Sequence, residues 1–529
     1  MTGSTGSTGA LTVLRFHLRR DRMMLFWWIT GNVLLYYSQA VSTDGLYTTQ
    51  AELDRAAAGM ESNAAFIAMA GPARALNTLG GQVAWQAAAF GAIVAALMSM
   101  FLVGRHTRAE EESGRDELVR AAAIGRHAPL AATALVVVIA NVLLGVLLAM
   151  SLVSYGLPAA GSWALGLAAG LTGLVFGGVA LVAAQLVEST RAAYGITGAV
   201  IGVAYALRAI GDVGNGALSW LSPIGWGQYL RPYAEEQWWP ALLSVVAVVV
   251  LAVAAVMLFD RRDIGSGVWP ARPGPARGSL GSASALAWRL QRGSVIGWTF
   301  GMLLGGVAYG SIGDDVEDLL GDSEFSKDMF ASAGNSVVDS FYATSAVMLA
   351  LIGSGFAIAS VQRLRGEEGA GFAEGLLATA LPRWRWAVAH LVVTLVGTVA
   401  AVLAGGLGMG LGFALVTGDG SAVLRLTGAT LPYAVPVLLL AALTWLAYGI
   451  RTRWAGVGWL GLGFCFIVMM FGELLQLPGW LMDVSPFQHL AQTPAEDFRV
   501  VPVVVLLAII AALSWLGMAA LRRRDLVTN

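Results

Sequence analysis

Apolar runs of spanning length alternate with short polar segments along almost the whole chain. A helix that crosses a bilayer needs roughly 20 mostly apolar residues. Segments of that kind lie near 23–43, 81–103, 128–154, 162–187, 194–210 and 238–258, and again near 295–312, 341–361, 387–416, 427–450, 455–476 and 501–521. Unpaired backbone groups are costly in lipid, so each segment must be a helix or belong to a closed barrel. The apolar–polar alternation of barrel strands is absent. The pattern therefore predicts an all-α integral membrane protein of about twelve transmembrane helices. The start, Met1 to Ala10, is rich in Gly, Ser and Thr and reads as disordered. The run from Met23 is too long for the core of a cleaved leader, and further spans follow it.

Charge placement adds orientation. Of the 32 basic residues, 25 are arginines before, after and between alternate spans, from Arg15, Arg19, Arg20 and Arg22 to Arg522, Arg523 and Arg524. The opposite side is acidic, as in Asp314-Asp315-Val316-Glu317-Asp318. The positive-inside rule then places both termini in the cytoplasm. Trp27-Trp28 and Trp238-Trp239 flank spans, as interfacial anchors do. Charged residues make up only 12% of the chain, against about 25% in soluble domains. Cys465 is the only cysteine, which rules out an intrachain disulfide and a cysteine metal cluster. Nothing in the charge pattern indicates a nucleic-acid partner.

The halves repeat one another. The stretch from Arg108 to Arg126 aligns without a gap on the stretch from Arg365 to Arg383 at an offset of 257. Glu110 falls on Glu367, Glu111 on Glu368, Gly114 on Gly371, Glu117 on Glu374 and Arg126 on Arg383. Leu221-Ser222-Pro223 recurs as Val484-Ser485-Pro486, and each half closes on Arg261-Arg262-Asp263-Ile264 or Arg523-Arg524-Asp525-Leu526. Before the first span of each half, Phe16-His17-Leu18-Arg19-Arg20 resembles Trp288-Arg289-Leu290-Gln291-Arg292. Six spans per half make the repeats parallel. The expected organisation is a disordered start and interfacial helix over 1–22, a six-helix half over 23–258, a cytoplasmic linker with a second interfacial helix over 259–294, and a second six-helix half over 295–529. Gly166-x-x-x-Gly170, Gly198-x-x-x-Gly202 and Gly301-x-x-x-Gly305 suggest close helix packing.

The loop after each half's second span carries the functional signal. A solvated loop needs arginines for topology, but topology alone does not repeat glutamates, glycines and leucines in register. The pattern Glu-Glu-x-x-Gly-x-x-Glu, then a leucine-rich turn and Arg, resembles the coupling-helix region of ABC exporter permeases with six helices per half. With the Ser-Pro motif, the closing Arg-Asp phrase and the fused layout, the chain looks most like the actinobacterial polyketide-antibiotic exporter permeases, over essentially its whole length. The resemblance implies a multi-pass permease of a bacterial cell membrane that exports hydrophobic, drug-like compounds. It also implies an ABC-type ATPase partner, in two copies, that binds ATP and Mg, with no cofactor on this chain. Docking on that ATPase would fall to Glu110, Glu111, Gly114, Glu117, Leu118 and Arg126 in one half, and to Glu367, Glu368, Gly371, Glu374, Leu376 and Arg383 in the other. The copies differ, since Glu112, Arg115 and Asp116 become Gly369, Phe372 and Ala373, so the two docking sites are expected to differ in strength.

A phosphate-binding P-loop needs a lysine after its second glycine. The sole lysine is Lys327, in Phe325-Ser326-Lys327-Asp328, so ATP hydrolysis must belong to another chain. Two other classes compete. A secondary multidrug transporter normally relies on ionisable residues inside its spans, and these spans hold almost none. A lipid or envelope-component exporter differs only in cargo. A membrane-embedded enzyme would need a catalytic constellation, whereas the five histidines are scattered and no catalytic residue or metal site is indicated. A path between the halves has as candidate lining Trp85, Phe90, Met98, Tyr194, Tyr205, Tyr342, Met348, Phe356, Phe464, Met469 and Met470, whose aromatic rings and thioethers suit varied apolar ligands. Ordinary helix packing explains many of them equally well. Arg208 and Glu473, near the outer ends of the two fifth spans, are a candidate outer gate. A local Arg208–Asp212 pair at i,i+4 is the simpler alternative.

Overall fold

The computed structural model describes residues 8–47, 49–61, 64–263, 265–269, 281–312, 337–471 and 477–525. Every regular element among them is helical. The chain divides into two compact units, Met1–Gly274 and Pro275–Asn529, and the division falls within the segment 259–294.

The first unit begins with α1 (Ala10–Leu46), α2 (Gln50–Glu61) and α3 (Ala64–Ala70). It continues with α4 (Leu79–His106), α5 (Arg108–Glu112), α6 (Arg115–Arg120), α7 (Ala128–Tyr155), α8 (Ala159–Leu186), α9 (Thr190–Val213), α10 (Pro223–Gln228) and α11 (Ala241–Asp260). The second unit opens with α12 (Ala283–Gly310), α13 (Val337–Gly369), α14 (Phe372–Leu377) and α15 (Arg383–Thr417). It ends with α16 (Ala422–Thr430), α17 (Ala434–Ile450), α18 (Val457–Phe471), α19 (Gly479–Met482) and α20 (Val500–Arg523).

Ten helices among the described residues are long and apolar enough to cross a membrane. They cover all the expected spans except the first of each half. Those two lie in α1 and α12, which are continuous helices of 37 and 28 residues diluted by polar side chains such as Asn32, Ser38 and Gln39. The interfacial helices expected within 1–22 and 259–294 are not separate elements, because α1 and α12 start at Ala10 and Ala283 and run on into the spans without a break.

The burial pattern also corrects the register of the repeat. Positions 17, 21, 25, 32, 36 and 40 of α1 are buried. Adding 270 gives 287, 291, 295, 302, 306 and 310, which are the buried positions of α12. The local sequence likeness at an offset of 272 is therefore out of step by two residues. The packed counterpart of Asp21 is Gln291, not Gly293.

Small residues place the helices. In the first unit α7 and α8 meet backbone to backbone, and a Cβ on Gly166 would come within 2.3 Å of the Gly145 carbonyl oxygen. The 166/170 repeat is thus a contact, whereas Gly198 and Gly202 have nothing within 4 Å. In the second unit the close crossing is not at 301/305. A Cβ on Gly306 would meet the Gly405 oxygen at 2.0 Å and one on Gly408 the Leu303 oxygen at 2.1 Å, so α12 and α15 cross on these glycines. The Ser-Pro motifs diverge as well. Ser222 caps α10 through its side chain, while Ser485 precedes a short 3-10 turn (Pro486–His489) with no such cap.

Candidate functional site

The two repeated loops fold into the same turn. After the second span, the Gly114 N–H donates to the Glu111 carbonyl at 3.1 Å and the Glu117 N–H to the Gly114 carbonyl at 3.3 Å. In the second unit the Gly371 N–H donates to the Glu368 carbonyl at 3.1 Å and the Glu374 N–H to the Gly371 carbonyl at 3.2 Å. Gly114 has φ +72° and Gly371 φ +75°, a left-handed conformation that costs a side-chain-bearing residue about 1–2 kcal/mol. The turn redirects the chain from the end of a span into a short helix, α6 or α14. Leu118 on α6 is 76% exposed and Phe372 on α14 69% exposed. Glu117 and Glu374 are exposed too, whereas Leu376 is only half-exposed and packs against the second unit's core.

The paired glutamates before each turn look inward. In the first unit Glu111 accepts from Arg262 Nη2 at 2.6 Å and Nη1 at 3.1 Å, and from Arg108 Nη1 at 2.8 Å. In the second, Glu368 accepts from Arg524 Nη1 at 2.6 Å and Nη2 at 2.7 Å. Both are two-pronged guanidinium–carboxylate clamps, the strongest and most directional kind of ion pair. Arg262 and Arg524 hold the same place in the phrase that closes each half. The clamp therefore ties the loop after the second span to the end of the sixth, α11 or α20. A third element locks each one. Arg126 donates to the Arg262 carbonyl at 3.3 Å, and Arg383 to the Arg524 carbonyl at 3.0 Å.

The end of the fourth span completes the clamps with different chemistry. Gln185 Oε1 accepts from Arg262 Nε at 2.7 Å. The Ser-Pro offset of 263 maps Gln185 onto Tyr448, whose hydroxyl donates to Glu368 at 2.6 Å. Thr452 adds a donor at 3.3 Å. The fully buried Arg108 also donates to the carbonyls of Ala184 and Ser266. The segment after α11 is not a free linker at this point, since the N–H groups of Val268 and Trp269 donate to the Gln185 and Leu186 carbonyls at 3.0 and 2.8 Å.

The first glutamate of each pair anchors the opening helix of its unit. Glu110 pairs with Arg20 of α1 at 2.7 Å and with Arg115 at 3.0 Å. Beside it Asp21, fully buried, meets His106 and, at 2.9 Å, Arg105. His17 stacks on His106 at 3.8 Å between ring centroids. Burial, then the neighbouring His106 and Arg20 charges, push the His17 imidazole down to about 3, so it is neutral near pH 7. In the second unit Glu367 is held by Trp386 at 3.2 Å and His390 at 3.3 Å. His390 in turn meets Gln291, the packed counterpart of Asp21, at 3.1 Å. Arg363 approaches Glu367 at 3.4 Å. Glu112 points elsewhere and accepts from the backbone and side chain of Thr190, both at 2.8 Å, so that it caps α9. Among the described residues no group of three or more His, Cys, Asp and Glu is placed to hold a metal ion.

Of the candidate path residues, Met98, Tyr342 and Phe356 are buried inside their own unit, and Tyr342 donates to the Gly310 carbonyl at 2.9 Å. Trp85 donates to the Gly71 carbonyl at 2.7 Å and Tyr205 to the Met69 carbonyl at 2.9 Å. Tyr194 packs edge-on against Phe101. Met348, Phe464 and Met469 are half-buried, and only Phe90 is well exposed. The side chain of Met470 lies outside the described residues, as does Glu473, one member of the candidate gate. Arg208 takes the simpler alternative. It is fully buried, lies 3.5 Å from Asp212, donates to the Met69 carbonyl at 2.9 Å and sits over the Tyr205 ring. Sequence reasoning missed Arg262, Arg524, Gln185 and Tyr448 as partners of the loops. The repeated closing phrase was the one visible signal for Arg262 and Arg524.

Comparison with known proteins agrees with this architecture. Residues 280–522 match the family described as multidrug efflux system permease Rv1217c, C-terminal domain. The multidrug efflux system permease protein Rv1217c of Mycobacterium tuberculosis (strain ATCC 25618 / H37Rv) is 38% identical over 528 residues, which cover 98% of this chain and 96% of that protein.

Proposed function

The chain belongs to the family of multidrug efflux system permeases, and from that premise we propose that it is the membrane subunit of an ABC exporter whose ATPase is a separate chain, bound as two copies. The cargo is hydrophobic and drug-like, export is outward across a bacterial plasma membrane, and both termini face the cytoplasm with the arginine-rich loops. This chain hydrolyses no ATP. ATP and Mg are bound by the partner.

The observation that carries the reading is the duplicated turn with its clamp. Each half ends one span in a glycine turn, presents an exposed short helix tipped by Leu118 or Phe372, and straps that helix's base to its own sixth span. Two such helices suit two ATPase copies. A force applied to either exposed helix reaches two spans at once, because a two-pronged ion pair is stiff and close-packed helices transmit displacement rather than absorb it. The absence of any lysine but Lys327 leaves no P-loop on this chain and supports an external energy source.

Inside-out vesicles test the reading. Drug accumulation on addition of ATP is expected only when the permease and its ATPase are co-expressed, and purified permease alone should release no phosphate. ATP-independent accumulation driven by a proton gradient would sink it.

A further inference from the structure

The two exposed helices stand on different ground. In the first unit, the chain leaving α6 is covered by the protein's own start. The Gly125 N–H donates to the Thr8 carbonyl at 2.8 Å, and Gly9 lies against the Ile124 side chain. At the offset of 257 the same place in the second unit is Leu381-Pro382. There an open cleft of about 510 Å³ runs between α14 and Asp525, lined by Glu368, Glu374, Leu377, Leu381 and Arg383 among others. Liquid water occupies about 30 Å³ per molecule, so the cleft has room for more than one side chain.

Its chemistry is asymmetric. The floor is apolar, from Ala373, Leu377, Ala378 and Leu381. In the first unit the matching residues are Asp116, Arg120, Ala121 and Ile124, so two of the four carry charge. Of the cleft's charges, Glu368 is spent on Arg524 and Arg383 reaches the Arg524 backbone. Glu374 and Asp525 are both exposed at its rim. With the exposed Arg383 beside them the rim is acidic by one net charge, and a rim of that sign over an apolar floor calls for a cationic side chain beside a large apolar one.

We propose that this cleft is a socket for the ATPase: a short amphipathic segment of that partner inserts a large apolar side chain between Leu377 and Leu381 and sets an Arg or Lys against Glu374 and Asp525. In the first half the matching place is covered by residues 8 and 9, so the second half anchors one ATPase copy while the first half's helix makes the weaker contact. The inference rests on the proposed ATPase partnership and adds to it which half binds and what chemistry binds there.

The test uses the full permease co-purified with its ATPase subunit in detergent micelles. A photo-crosslinking amino acid replaces Leu377 or, as the matched control, Arg120, and each crosslinked product is identified by mass. Position 377 is expected to capture the ATPase at least about five-fold more efficiently than position 120. Glu374→Lys should weaken ATPase binding about ten-fold, and Glu117→Lys less than two-fold. Both are exposed positions where folding is undisturbed, which equal monodispersity of the two variants verifies. Equal capture and equal losses in the two halves would overturn the proposal. So would crosslinking from position 377 to the permease's own segment 270–280, which carries Arg272 and Arg277. Failure of the wild-type permease to bind any ATPase would instead remove the partnership beneath it, and the proposal with it.

Discussion

The two clamps make the same tie with unequal reserves. Glu111 is gripped by two guanidinium groups, those of Arg262 and the fully buried Arg108. Among the described residues Glu368 meets one, that of Arg524, helped by the neutral hydroxyls of Tyr448 and Thr452. The sequence counterpart of Arg108 is Arg365, which is exposed and takes no part. Duplication has preserved the geometry of the tie, a carboxylate after the second span and an arginine after the sixth, while the supporting residues have drifted. What the two halves hold in common here is the link between two spans. The means of neutralising a buried charge is free to change.

That difference orders the expected effects. Arg524→Ala takes the guanidinium away from Glu368, which is 1% exposed, and removing one partner of a buried ion pair costs about 3–5 kcal/mol. Arg262→Ala leaves Arg108 on Glu111, so its cost should be at most half as large. Thermal unfolding of the detergent-solubilised variants checks this, with the midpoint falling further for Arg524→Ala. Equal falls would break the comparison. Tyr448→Phe removes a single hydrogen bond to a charged group, worth about 1.5–3 kcal/mol, and should lie next in the series.

Gly114→Ala and Gly371→Ala sharpen the comparison from the other side. Both glycines are left-handed and a Cβ on either would meet nothing within 4 Å. The penalty is therefore conformational only, about 1–2 kcal/mol in each, and should be the same in the two halves. A clear inequality would mean that the turns are not equivalent. A further effect concerns protons and belongs to the first half. His17 is neutral in the fold, its imidazole pushed down to about 3, whereas the unfolded chain takes up a proton near pH 6.5. Stability should therefore be level above pH 6.5 and fall as pH drops from there toward 3, by up to about 1.4 kcal/mol per pH unit. His17→Gln should flatten that slope between pH 6.5 and 4.

Much of this was legible in the chain. The spans followed from apolar run length, and Gly114 and Gly371 stood matched in the repeat, but the left-handed turn that glycine makes without strain was not read from them. The clamps were half legible. Both members stood in repeated motifs, but 151 and 156 residues separate them, and no local periodicity connects positions so far apart. The direction of Glu111 and Glu368 was not legible, because a carboxylate beside arginines reads the same whether it faces a partner or its own fold. The register of α1 against α12 was misread by two residues, since a short likeness of one aromatic, one leucine and one arginine (Phe16/Trp288, Leu18/Leu290, Arg20/Arg292) outweighed the buried positions that set the packing. The socket beside Leu381 depends on what the chain's own start covers in the other half, which is a property of the folded chain alone.

Under the proposed function, the clamps transmit force between the two exposed helices and the spans. A charge exchange tests it most directly: Glu368→Arg, Arg524→Glu and the two together, in proteoliposomes holding permease and ATPase, with drug-stimulated ATP hydrolysis as the readout. Each single change is expected to lower the stimulation at least ten-fold while ATPase binding persists, and the double exchange to restore a substantial part of it. Full stimulation in either single variant, or a double variant no better than the singles, would contradict the account.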